Sequence, residues 1–381
     1  MACTAESSVS VRLNPFKRPQ GELPILNGAE RVPWSPWGYI LKERPVFTLH
    51  PLFHAGVYYV QDSSAMYVGH VFRKLLGSAD DADKPFRVLD LCAAPGGKTT
   101  DLAASLRERY GSGFELVSNE VMKQRAGVLA DNVARWGDPN VTVVSADPAA
   151  FAKLEGYFDV IVADVPCSGE GMFRKDPRAE AEWSPEVVTL CAARQKRILA
   201  DVWPSLKQGG VLVYSTCTYE DAENDGNLEW AASELGGDIV PAENEFAQYG
   251  VRLTRHGNLL KVGEVPGEGQ WVGALVKTGP TGTARKTLSD VIRPYVKKES
   301  GFDPDAPLSM DFDRNAYPCV EVDKPTALQY LHRDALVLKD APLGLLVLTY
   351  RGVPLGFVKN IGRRCNNLLP QRRRILMDVN K

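Results

Sequence analysis

A chain of 381 residues, 44% hydrophobic and 24% charged, holds enough apolar material for two or three cores, and none of its apolar runs nears the ~18 residues of a membrane span. Its 45 Lys and Arg against 47 Asp and Glu leave a formal net charge of -2, which excludes a globally basic nucleic-acid-coating protein; any RNA contact must rest on local positive charge. Seven cysteines (Cys3, Cys92, Cys167, Cys191, Cys217, Cys319 and Cys365), with no C-x-x-C pair, argue against a metal site or a disulfide framework, and Met1–Ser10 lacks the basic start and apolar core of a secretory signal, so a reduced, cytoplasmic location is expected.

Local signals are weak over the first 65 residues. Val9-Ser10-Val11-Arg12-Leu13 alternates as a strand does, and Asn14-Pro15 and Arg18-Pro19 interrupt it. Pro33, Trp34, Pro36 and Trp37 form a stiff aromatic connection, read as packing material ahead of RNA stacking. Tyr58-Tyr59-Val60 suits another short strand. From Ser63 to Leu76, residues Met66, Val68, Val71, Phe72 and Leu75 fall at helical spacing.

Residues 86–100, Phe86-Arg87-Val88-Leu89-Asp90-Leu91-Cys92-Ala93-Ala94-Pro95-Gly96-Gly97-Lys98-Thr99-Thr100, organise the rest. An apolar run closes on an acid, and small residues, a Pro and two glycines then lead into a helix start. This is the pattern of a first strand, tight loop and helix N-terminus in an open α/β sheet, where unpaired helix amides face a ligand. A Walker phosphate loop needs a Gly where Cys92 stands, and G-x-G-x-x-G is absent. S-adenosylmethionine, its sulfonium and amino-acid end over the strand tip, is what remains; a purely structural glycine turn is the alternative.

Residues 86–278 alternate strands and helices, which predicts a parallel sheet covered on both faces. The second strand is Leu116 to Glu120, the third Val141 to Val144 with Asp147 just beyond, the fourth Phe158 to Asp164 and the fifth Val211 to Ser215. Helices run from Val121 to Trp136, closed by Gly137, and from Glu186 to Leu206, after which Gly209-Gly210 turns the chain. Val251 to Thr254, Leu259 to Val262 and Trp271 to Val276 add a hairpin and a last strand. Asp90, Glu120, Asp147 and Asp164 thus end four successive strands, on the rim where such sheets bind ligands. Glu120 suits ribose hydroxyls and Asp147 the adenine amino group; solvated carboxylates are the plainer reading of both.

Residues 279–309, rich in Gly, Pro, Thr and Lys, read as a linker. Residues 310–381 read as a small β-rich unit with strands at Gly344 to Tyr350 and Pro354 to Val358. Its end is basic through Arg351, Lys359, Arg363, Arg364, Arg372, Arg373, Arg374 and Lys381, which suits phosphate contact, or a solubilising tail.

Two strand ends also carry thiols. The fourth strand runs into Asp164-Val165-Pro166-Cys167 and the fifth into Ser215-Thr216-Cys217-Thr218, so adjacent strands would bring Cys167 and Cys217 together beside the glycine loop. Amino-group methylation needs no nucleophile, because nitrogen has a lone pair. Carbon 5 of a pyrimidine does need one: a thiolate must first add to carbon 6 and make an enamine. A free thiol, with pKa ~8.5, is only slightly ionised at neutral pH, so the site must raise the thiolate fraction. Small buried cysteines are the plainer reading of each thiol alone; two at one rim beside an acid favour chemistry.

The strings DLCAAPGGKTT, SNEVMKQRAGVLADN, ADVPCSGEGMFRKDP and VYSTCTYEDAEN closely resemble the Nol/Nop/Sun RNA cytosine-5 methyltransferases, nearest the bacterial RsmF-like branch that modifies small-subunit ribosomal RNA. The resemblance covers residues 9–278 and 317–381, where YPCVEVDKPTAL and NNLLPQ look like that branch's C-terminal RNA-binding module. It implies an α/β fold: a Rossmann-like S-adenosylmethionine-dependent sheet over 79–278, a small N-terminal α+β RNA-positioning region over 1–78, a linker over 279–309 and a β-rich, PUA-like RNA-binding module over 310–381. By the same resemblance Cys217 attacks carbon 6, Cys167 helps to resolve the adduct and Asp164 touches the cytosine edge and adjoins the cofactor. Cys92, Ala93, Ala94, Pro95, Gly96, Gly97 and Lys98 hold the methionine part of the cofactor, Glu120 the ribose and Asp147 the adenine end, with Arg125 assisting. Arg174 and Lys175 grip phosphates next to the target base, which must leave its stack. DNA cytosine methyltransferases use the Pro-Cys thiol as nucleophile; the Thr-Cys motif turns the reading to RNA.

Two departures stand out. The family carries a helical segment ahead of the strand holding Arg12-Leu13-Asn14-Pro15, and a longer segment between catalytic domain and C-terminal module. Both belong to RNA positioning, so the chemical machinery is expected whole and substrate affinity shifted. The leading expectation is a monomeric RNA (cytosine-5) methyltransferase using S-adenosylmethionine on small-subunit ribosomal RNA, without metal or membrane. Alternatives are a non-catalytic RNA-binding or assembly protein of the same fold, or the same chemistry on transfer RNA.

Overall fold

The alternation of Val9–Leu13 makes strand β1, which sits inside a four-stranded antiparallel sheet of order β2-β3-β1-β4, with β2 at Glu30–Arg31, β3 at Gly38–Leu41 and β4 at Tyr58–Val60. The computed structural model describes residues 8–76, 85–282, 285–295 and 301–379. Cys3, Lys381, the boundary expected between residues 78 and 79, and residues 283–284 and 296–300 of the expected linker lie outside the described residues. The Pro- and Trp-rich stretch is the turn between β2 and β3; Trp34 is buried and its Nε1 donates to Ser63 O at 2.7 Å. A short helix α1 (Pro51–His54) precedes β4, and α2 (Met66–Leu75) follows it, starting later than its spacing predicts.

The central sheet has nine strands: β5 (Phe86–Asp90), β6 (Phe114–Asn119), β7 (Val141–Val144), β8 (Phe158–Asp164), β9 (Leu206–Thr216), β10 (Gly237–Ile239), β11 (Arg252–Leu253), β12 (Gly257–Leu260) and β13 (Gln270–Lys277). The run β7-β6-β5-β8-β9 is parallel, and β13, β12 and β11 continue it antiparallel, with β10 on β13. Between them lie α3 (Gly97–Tyr110), α4 (Lys123–Trp136), α5 (Pro148–Phe151), α6 (Pro177–Glu182), α7 (Pro185–Val202) and α8 (Asp225–Leu235). Neighbouring residues feed opposite cores: Leu89, Ile161 and Leu212 pack on one face, Val88, Val160, Val162 and Val213 on the other. Burial on both faces is why these strands read as unbroken apolar runs. The chain steps from β5 to β6 and β7, then returns across β5 to β8. Strand order therefore reverses between β5 and β8, where the carboxyl ends open a crevice.

Two expectations are corrected. The long helix stops at Val202, not Leu206: Pro204 cannot continue it, one tight turn spans Trp203–Ser205, and Leu206 begins β9. Part of the expected linker is also bound to the sheet. In α9 (Leu288–Val291) Leu288, with Ile292 just after it, is buried in the central core; Pro294 bridges Val144 and Tyr295 N donates to Val143 O at 2.7 Å, which covers the open edge of β7.

The C-terminal unit holds β14 (Cys319–Glu321), α10 (Lys324–His332), β15 (Gly344–Tyr350), β16 (Val353–Asn360) and β17 (Cys365–Asn367), in sheet order β14-β15-β16-β17. Arg351 and Gly352 both take positive φ (+54° and +74°), the demand of a two-residue hairpin between β15 and β16, and the Arg351 guanidinium donates to Gln20 O and Glu22 O. Leu331, Leu346, Leu348 and Val358 share one hydrophobic cluster with Val11 and Tyr58 of the N-terminal sheet and Leu52 of α1. Arg372 pairs with Asp131 of α4 and with Asp305, and Arg373, 7% exposed, pairs with Asp305 at 2.9 Å. Those two arginines of the basic end are therefore engaged at the joint between units, where phosphate contact was expected.

Candidate functional site

At the tip of β5, Asp90 is fully buried; its Oδ2 accepts from Thr99 Oγ1 at 2.6 Å, while Oδ1 has no hydrogen-bond partner. Burial, opposed by the Thr99 hydrogen bond and helped by the neighbouring Asp164 charge, pushes its carboxyl up to about 7. The loop that follows is pinned by its backbone. Ala93 N donates to Asn119 O at 2.8 Å, Arg125 Nη2 donates to Ala94 O at 2.9 Å, and Pro95 O accepts from Asn132 Nδ2 at 2.7 Å and Tyr59 Oη at 3.2 Å. Gly96 has φ +110°, a conformation that favours glycine, and Gly97 opens α3. Cys92 is half-buried, and burial beside Asp164 and Asp90 raises its thiol well above the ordinary range, so it stays protonated.

Four acids were expected on this rim. Glu120, 3% exposed, follows β6; its Oε1 accepts from Met122 N at 3.0 Å and its Oε2 lies 3.3 Å from Arg125 Nη1. Asp147 is exposed and caps the four-residue α5 through Ala149 N at 3.0 Å. Asp164 at the end of β8 meets Lys98 from the glycine loop, Nζ to Oδ2 2.8 Å, and its Oδ1 accepts from Ser215 Oγ at 2.8 Å. Burial opposes the Lys98 charge, yet Asp164 outweighs it, with a smaller share from Cys217, and holds Lys98 above its ordinary value. The first amides of α3 have no acceptor within the helix and suit a carboxylate; the acids suit cationic centres, and Glu120 suits a diol. The group is thus built for a ligand like S-adenosylmethionine.

Cys167 and Cys217 lie beside this group on neighbouring parallel strand ends. Their Sγ atoms are 3.0 Å apart, unbonded, and Cys217 N donates to Cys167 Sγ at 3.3 Å. The contact with Cys217 and then burial raise the Cys167 thiol well above its ordinary value. Cys167 therefore keeps its proton. The two loops are interlocked: Gly171 N donates to Cys217 O at 2.8 Å, and Gly269 N to Gly171 O at 2.9 Å. A Cβ on Gly171 would lie 2.5 Å from Gly269 Cα, so that crossing requires glycine.

Arg174 corrects its expectation. Its side chain is 7% exposed, pairs with Glu268 at 3.1 Å and donates to Gly267 O at 2.9 Å, so it braces the loop instead of facing phosphate. Lys175 is exposed. Residue-by-residue reading missed Ser215 and Gln270 on Asp164, and Tyr59 and Asn132 on Pro95. Ser215 and Asn132 lie inside the quoted strings VYSTCTYEDAEN and SNEVMKQRAGVLADN; Gln270 and Tyr59 lie in no quoted string.

Residues 79–235 match the family described as 16S rRNA methyltransferase RsmB/F, residues 317–375 the methyltransferase RsmF PUA domain and residues 1–63 the N-terminal domain of 16S rRNA methyltransferase RsmF. A protein of Pectobacterium atrosepticum named ribosomal RNA small subunit methyltransferase F is 35% identical over 260 residues, 66% of this chain and 51% of that protein. A protein of the same name from Aliivibrio fischeri is 33% identical over 323 residues, 81% of this chain and 64% of that protein. The chain thus spans about half the length of the first of these relatives. Among solved structures, a methyltransferase homologue from Pyrococcus horikoshii is 26% identical with TM-score 0.57, covering 72% of this chain and 88% of that one. NSun6 of the same organism, 18% identical with TM-score 0.56 over 72% of this chain and 91% of its own, shares the fold.

Proposed function

Because the chain belongs to the RsmB/F methyltransferase family, we propose that it methylates carbon 5 of a cytosine in RNA, the small-subunit ribosomal RNA that its relatives are named for, through a covalent cysteine–cytosine adduct. The observation that carries this reading is the pair of thiols, Cys167 and Cys217, 3.0 Å apart past the ends of β8 and β9. A single base nitrogen would need neither.

In this reading the α3 N-terminus and residues 92–98 hold the methionine part of S-adenosylmethionine, Glu120 the ribose and Asp147 the adenine end. Bound there, the cofactor supplies an electrophilic methyl group. Cys217 is the nucleophile: its sulfur bonds to carbon 6 of the flipped cytosine, and electron density moves to carbon 5. Asp164, oriented by Ser215 and charge-balanced by Lys98, meets the polar edge of the base. Once carbon 5 is methylated, its proton passes to water acting as base, the pair from that C–H bond restores the double bond between carbons 5 and 6, and the carbon 6–sulfur bond breaks with its pair returning to the Cys217 sulfur. Cys167 stands at the sulfur that departs and is the group we assign to that release. Phosphate contact falls to Lys175 and the C-terminal unit, since Arg174 is engaged with Glu268.

The test is transfer of labelled methyl from S-adenosylmethionine to ribosomal RNA, free and as small subunits, with Cys217→Ala and Cys167→Ala alongside. The expected result is label from the unmutated chain and none from Cys217→Ala, and an RNase-sensitive band on denaturing gels with Cys167→Ala. Cofactor binding without label or adduct on any RNA offered would reject the enzyme and leave an RNA-binding role.

A further inference from the structure

Glu223 and Asn224, in the loop between Cys217 and α8, are 0% and 1% exposed. Their side chains diverge. Glu223 Oε2 accepts from Ser168 N at 3.1 Å and from Gln195 Nε2 at 2.6 Å, and that same Nε2 donates to Pro166 O at 2.9 Å. Pro166 and Ser168 are the two neighbours of Cys167. Asn224 Oδ1 accepts from Thr216 Oγ1 at 2.6 Å, and its Nδ2 donates to Thr218 O at 3.0 Å. Thr216 and Thr218 are the two neighbours of Cys217.

We propose that Glu223 and Asn224 are positioning residues, one for each thiol, and that the peptide bond between them sets the register of the pair. The inference rests on the roles proposed above for Cys167 and Cys217. Neither residue acts on the base; each acts through the backbone beside a sulfur.

The chemistry of the clamp supports this assignment. A buried carboxylate is costly, and burial raises the Glu223 carboxyl while its hydrogen bonds with Ser168 and Gln195 pull it back. An apolar side chain would fill the same space, but it would strand Ser168 N and leave Gln195 Nε2 with Pro166 O as its one acceptor. Gln195 is itself locked, its Oε1 accepting from Asn227 Nδ2 at 2.7 Å and lying 3.1 Å from Tyr214 Oη, so Glu223 is gripped from a rigid helix. Tyr214 Oη also donates to Glu223 O at 2.6 Å, and Ser168 Oγ meets Thr218 Oγ1 at 2.8 Å. Both cysteine loops thereby refer to one frame.

Because the two grips are separate, two neighbouring substitutions should fail at different steps. Glu223→Gln removes the charge that strengthens both bonds to Oε2 and sets an amide N–H₂ where Oε1 stands, 3.4 Å from the Ser168 N donor, which loosens the Cys167 turn. It should leave single-turnover methyl incorporation within about twofold, slow multiple turnover on the order of 10²-fold, and accumulate protein–RNA adduct. Asn224→Ala loosens Cys217 and should slow single-turnover incorporation on the order of 10²-fold without accumulating adduct. On a Cys167→Ala background, Glu223→Gln should add nothing to the adduct, as residues acting in series do.

The measurements are denaturing-gel adduct fraction and single- and multiple-turnover label transfer on ribosomal RNA, with S-adenosylmethionine affinity and thermal melting beside them. Equal losses in both steps for both variants, tracking melting temperature, would overturn the proposal. Should Glu223→Gln fail to fold, Gln195→Leu, which frees the same turn from α7, must reproduce the adduct phenotype or the proposal falls. Adduct with Cys167→Ala but not with Glu223→Gln or Gln195→Leu defeats this inference alone. No label from the unmutated chain and no adduct from Cys167→Ala defeats the function it rests on as well.

Discussion

Lys98 Nζ lies 2.8 Å from Asp164 Oδ2, so one ion pair joins the glycine loop after β5 to the Pro-Cys strand end of β8 across the point where strand order reverses. The lysine is 16% and the aspartate 28% exposed. The pair therefore sits where water screens it little, and it links the element read as holding the cofactor to the one read as holding the base.

Removing the cation should separate the two. Lys98→Met leaves Asp164 with Ser215 and a longer contact from Gln270, and it removes a positive charge that interacts with Cys217. We expect the methyl-transfer rate at saturating RNA to fall on the order of 10²-fold, the usual cost of losing one charge-stabilising group. Rapid-quench label transfer checks this; a rate within twofold of the unmutated chain would make the pair structural only.

Asp90 gives a pH signature. Its folded value is raised from 3.8 to about 7, chiefly by burial, so the fold prefers the protonated acid. Below pH 3.8 the carboxyl is protonated folded or unfolded and costs nothing. Between 3.8 and 7 the folded state binds the extra proton, and stability falls as pH rises; above 7 the penalty is constant. Asp90→Asn, which can still accept from Thr99, should flatten that falling limb. Thermal melts of the cofactor-free protein from pH 4 to 8 give the slope, and an unchanged slope would mean that Asp90 is not the group responsible.

The strands that carry the chemistry were legible because each is an apolar run closing on an acid or a thiol. β7 and β8 have the predicted bounds, and Gly137 ends α4 with the positive φ its place demands. What escaped is long-range. Nothing near Arg174 in sequence points to Glu268, and nothing near Arg373 points to Asp305, so both arginines read as free cations. The same holds for Gln195, whose helix shows only that it faces inward, and for the N-terminal strand signals, which carried no trace that Val11 shares a core with Leu346. Periodicity reports which face is buried, not what covers it.

Arg12 shows how far the N-terminal sheet reaches. It is fully buried, donates to Gly97 O at 3.1 Å and Thr100 Oγ1 at 2.5 Å at the start of α3, bonds Gln61 Oε1 at 2.8 Å and lies over the Trp136 ring. Burial lowers it to about 10, opposed by Asp101, 3.8 Å away. Arg12→Met leaves the buried Asp101 to Arg73 alone, which should cost about 3 kcal/mol. Cofactor affinity should weaken with it, because Gly97 and Thr100 lose their brace. Arg12→Lys should not rescue, since one ammonium cannot span Gln61 Oε1, Gly97 O, Thr100 O and Thr100 Oγ1 together. Denaturant melts and calorimetry of S-adenosylmethionine binding read both effects; a destabilised variant with undiminished affinity would uncouple the sheet from the loop.

The shared core of the first and last units predicts joint unfolding. Leu346 is fully buried on β15, in the cluster that includes Val11 and Tyr58 of the N-terminal sheet and Leu52 of α1. Leu346→Ala removes apolar volume from that cluster and should cost about 2–5 kcal/mol. If the two units are one cooperative body, amide protons of β1 and of β16 should lose protection together and to the same extent, whereas those of β5 and β8, whose cores are separate, should keep theirs. Hydrogen exchange resolved by peptide distinguishes the cases. Loss confined to β16 would mean that the N-terminal sheet stands without the C-terminal unit, and that the Arg351 contact with Gln20 and Glu22 is a surface dock over independent folds.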